Sequence, residues 1–200
     1  MLVQAIMPAS RVNGPGLRCV VFVQGCNLDC PGCWNISSHP FHGPDLAIEA
    51  VLTELVDCHH QYSLDGVTFS GGEPMQQAED LGKLLQGLRS KSPMLSFGMF
   101  TGYSEKELET GRYFTRHGVD RDRRQALWRA IRGQLDFAVM GRFNRLQPSQ
   151  APMRTSANQV LRLFSGCYSE SDFGEQTVEI TIASDGLTQI TGFPTLGNPA

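Results

Sequence analysis

Apolar residues in this chain first gather at residues 18–24 (RCVVFVQ), a β-branched and aromatic run behind a Gly-Pro-Gly turn. Such a run predicts a short buried strand. Ile48, Val51, Leu52, Leu55 and Val56 then recur at helical spacing and predict one apolar helix face. Residues 67–69, entered through Asp65-Gly66, predict a second strand, and Leu81, Leu84, Leu85 and Leu88 a second helix. A third strand is expected over 95–101 (LSFGMFT), and a short helix over 104–109 with Ser104 as its N-cap. Leu127, Trp128, Ile131 and Leu135 mark a further helix, and residues 137–140 a fourth strand.

Strands and helices that alternate at this spacing imply βαβ units around a parallel sheet, with right-handed crossovers. The fold class is α/β, and the periodicity is compatible with an open doubly wound sheet or a partial barrel. The tail follows another rule. Val178, Ile180 and Ile182 alternate strictly, Ser184-Asp185-Gly186 supplies a turn, and residues 187–193 return. An antiparallel hairpin is expected from about residue 176, sealing a sheet edge or shaping a substrate mouth. The corresponding division is a main domain over 1–175 and a hairpin with its tail over 176–200.

The 200 residues suit one domain and fall short of the about 250 that a full (β/α)₈ barrel takes. A net charge of −3 gives no overall field for nucleic acid. No apolar run approaches the roughly 18 residues of a membrane span, and the first residues lack a secretory pattern. The expectation is a cytoplasmic, reducing setting, where cysteines seldom serve as structural disulfides.

Three of the six cysteines, Cys26, Cys30 and Cys33, lie within eight residues directly after the first strand. Parallel α/β sheets build their sites at that end of the strands. Structural zinc and ordinary electron-transfer cubanes take four protein ligands, so three thiolates leave a metal position open. Two occupants fit the pattern: an iron–sulfur cluster with an open iron, or a zinc ion completed by His39 or His42. Cys19, Cys58 and Cys167 are isolated and are expected to be small buried apolar residues. After the second strand comes Ser70-Gly71-Gly72-Glu73-Pro74. Its glycines permit close backbone approach to a ligand, and Glu73 offers a carboxylate to a ligand ammonium.

A Cys-x₃-Cys-x₂-Cys loop followed one βα unit later by Gly-Gly-Glu-Pro resembles the radical S-adenosylmethionine (SAM) superfamily. Within it the chain is most similar to the glycyl-radical-enzyme activating enzymes, the anaerobic ribonucleoside-triphosphate reductase branch ahead of the pyruvate formate-lyase branch. Asn13-Gly14-Pro15-Gly16 with Arg18, Thr101-Gly102-Tyr103 and Ser156-Ala157-Asn158-Gln159 match in order, covering roughly residues 10–165. The resemblance implies a partial (β/α) barrel of the radical SAM type with a C-terminal β-hairpin appendage. It implies one [4Fe–4S] cluster on Cys26, Cys30 and Cys33, and S-adenosyl-L-methionine bound at the fourth iron. Gly71, Gly72 and Glu73 would position the methionine ammonium, and Gly32 and Trp34 would lie against the adenosine. Thr101, Tyr103, Asn158 and Arg142 are further candidates, Arg142 facing the SAM carboxylate or standing on the surface. The implied activity is reductive cleavage of SAM to a 5′-deoxyadenosyl radical, which installs a glycyl radical on a partner enzyme. A flavodoxin- or ferredoxin-like protein would donate the electron; no nucleic acid or membrane is involved. The alternatives are a radical SAM enzyme acting on a small molecule or peptide, and a metal-binding or electron-transfer module.

Two departures stand out. Met140 occupies a place where the activases commonly carry an acidic residue. Residues 111–132 hold seven arginines, either a solvated helix face or a docking patch for an acidic electron donor.

Overall fold

The computed structural model describes residues 1–182, 186 and 188–193. Ser184, Asp185 and Leu187 of the expected hairpin turn lie outside the described residues.

Six strands form one sheet in sequential order: β1 (Val3–Ser10), β2 (Arg18–Val23), β3 (Gly66–Gly71), β4 (Ser96–Thr101), β5 (Phe137–Met140) and β6 (Val160–Leu163). β2 to β5 run parallel, while β1 and β6 close the two sides antiparallel. The crossovers carry α1 (Ile48–Tyr62), α2 (Ala78–Lys91), and the pair α3 (Glu105–Glu109) and α4 (Arg121–Arg132). Each expected strand and helix of this series is present, and Ser104 caps α3 in a reciprocal capping box with Glu107. Sequential strand order decides against the doubly wound alternative, which reverses order at a switch point.

Alternation along the strands divides the sheet into two chemically different faces. Cys19, Val21 and Val23 of β2 and Phe97 and Met99 of β4 share one core with the apolar stripes of α1, α2 and α4. Met140 packs into this same core, so its side chain belongs to the helix side of the sheet. The opposite face carries a smaller core of Phe137, Val139, Met153, Phe173 and Phe193. Cys19 and Cys58 are buried as expected, whereas Cys167 is exposed, a correction. Cys167 follows Ser165-Gly166 in a loop beyond β6, outside both the strands and the helices.

Two strands had no legible pattern. β1 contains Pro8 and two breaks of register, which suit an edge strand but erase the alternation. β6 is only four residues long, half of them exposed.

The hairpin of β7 (Val178–Ile182) and β8 (Thr188–Gly192) is a separate two-stranded sheet. It does not seal an edge of the main sheet, and that expectation is corrected: the edges are already taken by β1 and β6. No helix among the described residues is long and apolar enough to cross a membrane.

At the start of β2, Arg18 is fully buried. Its Nε donates to Thr68 Oγ1 at 2.7 Å. Nη1 donates to Pro15 O and Ser96 Oγ, and Nη2 to Val67 O and Ser96 O, at 2.8–3.1 Å. The Phe137 ring lies against the guanidinium, 5.1 Å from centroid to Cζ. Replacing Arg18 by Leu leaves carbonyls of β3, β4 and the turn before β2 without this donor. Arg18→Leu is expected to lower the unfolding free energy by about 3 kcal/mol, measured by urea denaturation.

Candidate functional site

The chain leaves β2 into the cysteine loop, whose start is pinned by backbone bonds from Gly25 N to Ser38 O and from Cys26 N to His39 O, 2.7 and 2.9 Å. Cys33 N donates to Cys30 O at 3.0 Å, closing a tight turn over Pro31-Gly32. The loop is also clasped from outside. The Gln76 side chain accepts from Asn27 N at 3.2 Å and donates to Asn27 Oδ1, and the same Nε2 donates to Tyr103 OH at 2.7 Å. Three successive βα loops are thereby joined through one buried amide.

Gly71 and Gly72 end β3 against that loop. Gly72 N donates to Val23 O at 2.8 Å and Glu73 N to Gly25 O at 2.9 Å. A Cβ on Gly72 would overlap Gly25 O, and Gly71 has φ +94°, so both positions require glycine. Glu73 is 1% exposed. Its Oε1 accepts from Met75 N at 2.9 Å and from Thr101 Oγ1 at 2.8 Å, and its Oε2 accepts from Gly102 N at 2.7 Å. Burial nevertheless outweighs these donors and pushes the carboxyl up to about 7 from an ordinary 4.5.

Cys26, Cys30 and Cys33 are half-buried and line one cleft of about 520 Å³. Burial pushes the Cys26 thiol up to about 11, and the Glu73 charge adds to it. Cys30 is raised by burial too, opposed by a hydrogen bond from the Phe143 backbone. Gly71, Gly72, Glu73, Trp34 and Thr101 line the same cleft, so most of the expected residues are brought together. His39 also lines it. Among the described residues, no three His, Cys, Asp or Glu side chains converge where a single ion would be held.

Four candidates lie elsewhere. Gly32 is exposed beside Arg145 and Phe143. Tyr103 is buried, its hydroxyl spent on Gln76 and Phe114 N. Arg142 forms a two-pronged ion pair with Glu107 at 2.8 and 2.9 Å, over the Tyr103 ring. Asn158 donates to Arg142 O at 2.9 Å. Its neighbour Gln159 is the one that faces the cleft, held by Gly141 O, Thr155 and Ser156 at 3.0–3.1 Å. The Ser-Ala-Asn-Gln motif therefore marked the right segment and the adjacent residue. Phe143, Thr155 and Thr191 also line the cleft and carry no sequence signal, because they sit in irregular backbone or on the hairpin.

Comparison with known proteins now bears on this geometry. Residues 12–162 match the family of 4Fe-4S single cluster domains. The chain belongs to this family. Its relatives include the anaerobic ribonucleoside-triphosphate reductase-activating protein of Vibrio cholerae, 31% identical over 79% of this chain and 95% of that protein. The protein of the same name from Haemophilus influenzae is 29% identical over 78% and 94%, and that of Escherichia coli K12 is 34% identical over 50% and 68%. The single-cluster match contains the whole cysteine loop and the glycine segment, and ends before the hairpin.

Of the seven arginines in the 111–132 stretch, Arg116 and Arg124 are part-buried and the other five are exposed, several of them with partners inside the fold. Arg116 pairs with Asp45 at 2.8 Å, Arg121 and Arg124 donate to backbone carbonyls, and Arg132 stacks on Phe164. Arg123 lies 3.7 Å from Glu79, and Arg112 and Arg129 are exposed.

The folded chain holds the Glu73 proton more tightly than the unfolded chain does. Its contribution to stability is therefore full below the ordinary carboxylate range and is lost as pH rises through about 7. In paired urea titrations, Glu73→Gln is expected to gain stability relative to the parent as pH rises from about 5 to about 8.

Proposed function

We propose that this chain is a radical SAM enzyme that installs a glycyl radical on a partner enzyme. One observation carries the reading: three thiols and a buried carboxylate face a single cleft, and no fourth cysteine lines it. That donor set fits a [4Fe–4S] cluster with one open iron, and the cleft has the volume of a cofactor pocket. The relatives are activating proteins of anaerobic ribonucleoside-triphosphate reductase, which supports a glycyl-radical reductase as the protein substrate. A flavodoxin- or ferredoxin-like electron donor belongs to the same reading, as does closure of the sheet into a partial barrel.

Cys26, Cys30 and Cys33 would hold the cluster, and S-adenosyl-L-methionine would fill the open position. When bound, the pair would supply one electron to the sulfonium, breaking its S–C5′ bond to release methionine and a 5′-deoxyadenosyl radical able to take hydrogen from a glycine Cα. The chain's own residues prepare the setting. Glu73, fixed by Met75, Thr101 and Gly102, would present the remaining lone pair of Oε2 to an ammonium. Gly71, Gly72 and Trp34 line the cleft, where the glycines would let backbone come against the methionine part and Trp34 would lie against the adenosine. Phe22, Phe100 and Phe143 give the cleft apolar walls that exclude water from a reactive species. Arg142 is engaged with Glu107 through both its terminal nitrogens.

Anaerobic reconstitution is expected to load about four irons per chain, a capacity lost in Cys30→Ala. The reduced holoenzyme should release 5′-deoxyadenosine from SAM, and with an anaerobic ribonucleoside-triphosphate reductase should give a glycyl EPR doublet. An intact, reducible cluster without 5′-deoxyadenosine would overturn the enzyme reading, and release without the doublet would move it to a small-molecule or peptide substrate.

A further inference from the structure

The β7–β8 ribbon turns its faces opposite to the usual arrangement. Cross-strand partners share a face, and Ile180 pairs with Ile190, Val178 with Gly192 and Ile182 with Thr188. Val178, Ile180, Ile182 and Ile190 therefore stand on one face, and all are exposed, Ile182 at 72%. The polar face is the one that meets the body. Thr191 is buried and its Oγ1 accepts from Asn13 Nδ2 at 2.9 Å, while Glu179 accepts from Arg11 N at 3.2 Å. Gly192 fits only as glycine, since a Cβ would meet Thr177 O and lie 2.9 Å from the Val12 side chain. The ribbon cannot roll over to bury its isoleucines without breaking these contacts.

The free edge is equally defined. Hydrogen-bonded and non-bonded pairs alternate along an antiparallel ladder. Phe193 N donates to Thr177 O at 2.9 Å, which puts Glu179–Thr191 and Thr181–Gln189 in bonded pairs. The N–H and C=O groups of Ile190 and Gly192 then point away from β7, and among the described residues nothing bonds to them. Ile190, Thr191, Gly192 and Phe193 all line the cleft that holds the thiols. Four consecutive residues lining a cavity is the signature of a strand edge, because a strand face would contribute every second one.

We infer that the free edge of β8 is a strand-addition site for the extended, glycine-bearing segment of the protein substrate; this rests on the function proposed above. The outward groups of Ile190 and Gly192 would supply main-chain hydrogen bonds, and the exposed isoleucines would seat side chains of the added strand. The edge borders the cleft, so a strand added there runs along the mouth in which the radical would form. A glycine in that strand carries no side chain to hold its Cα away.

Amide hydrogen exchange on the reconstituted full chain tests this, with a synthetic peptide spanning the radical glycine of an anaerobic ribonucleoside-triphosphate reductase as the probe. The peptide is expected to slow exchange at Ile190 and Gly192 about tenfold or more, and less at Gln189 and Thr191, which already bond to β7. Ile190→Pro removes one outward donor and no ladder bond, and should weaken peptide binding about tenfold relative to Ile190→Val. Failure of the peptide to bind, or binding without protection at Ile190 and Gly192, overturns the inference. Protection that grows with protein concentration alone also overturns it and makes a second copy the occupant. SAM cleavage measured without peptide keeps the two claims apart. Its loss strikes the proposed function, while cleavage without protection strikes only the strand addition.

Discussion

The buried guanidinium of Arg18 is the constraint on which the rest of the molecule turns. A charge at the floor of the sheet cannot be left without partners, and this one is satisfied mainly by neutral groups: backbone carbonyls and the hydroxyls of Thr68 and Ser96. The carboxylates of Asp65 and Asp136 act on it from farther off, while burial presses its pKa down. The partners come from the turn before β2, from β3 and from β4, so satisfying the charge fixes β2, β3 and β4 at one end. Parallel strands fixed at one end deliver their other ends in register. Those ends carry the cysteine loop, the Gly-Gly-Glu segment and Thr101-Gly102. The Asn13-Gly14-Pro15-Gly16 turn is part of the same device, since a Cβ on Gly14 would lie 2.7 Å from the Phe137 ring and 2.9 Å from Arg18. A motif that marks kinship in sequence is in structure the collar around a charge.

What sequence disclosed follows from which signals are periodic or chemical. α1, α2 and α4 were legible because each lays an apolar stripe on one core, and the cysteine loop because three thiols in eight residues serve little except a metal centre. Glu73 was visible as a carboxylate, but two of its three donors lie in the next βα loop, and only folding shows that Thr101-Gly102 exists in part to hold it. Arg142 read as a free cation because its partner Glu107 lies 35 residues away. β1 hid behind Pro8. The hairpin was found by alternation, yet alternation cannot say which face meets the body, and here Asn13 and Arg11 choose the polar one.

The charge balance of the cleft explains why these assignments belong together. Burial resists ionisation of Cys26, Cys30 and Glu73, and Glu73 further raises both thiols. The nearby guanidinium of Arg142 does little to relieve this, because the Glu107 carboxylate neutralises it in a tight pair. Glu107 is itself held well down, at about 2, its burial outweighed by bonds from Arg142 and Ser104, so the pair persists across the physiological range. Cys26, Cys30 and Glu73, kept from ionising by their surroundings, gain most from an occupant that brings positive charge with it. Iron ions displace the thiol protons directly. In the function proposed above, SAM, with a sulfonium and an ammonium against one carboxylate, would add a further net positive charge beside Glu73. Had Arg142 been left free to meet Glu73, the carboxylate would have been satisfied from within the protein and would have had less to offer a ligand. The Arg142–Glu107 pair is therefore as much a part of the site as the residues that line it.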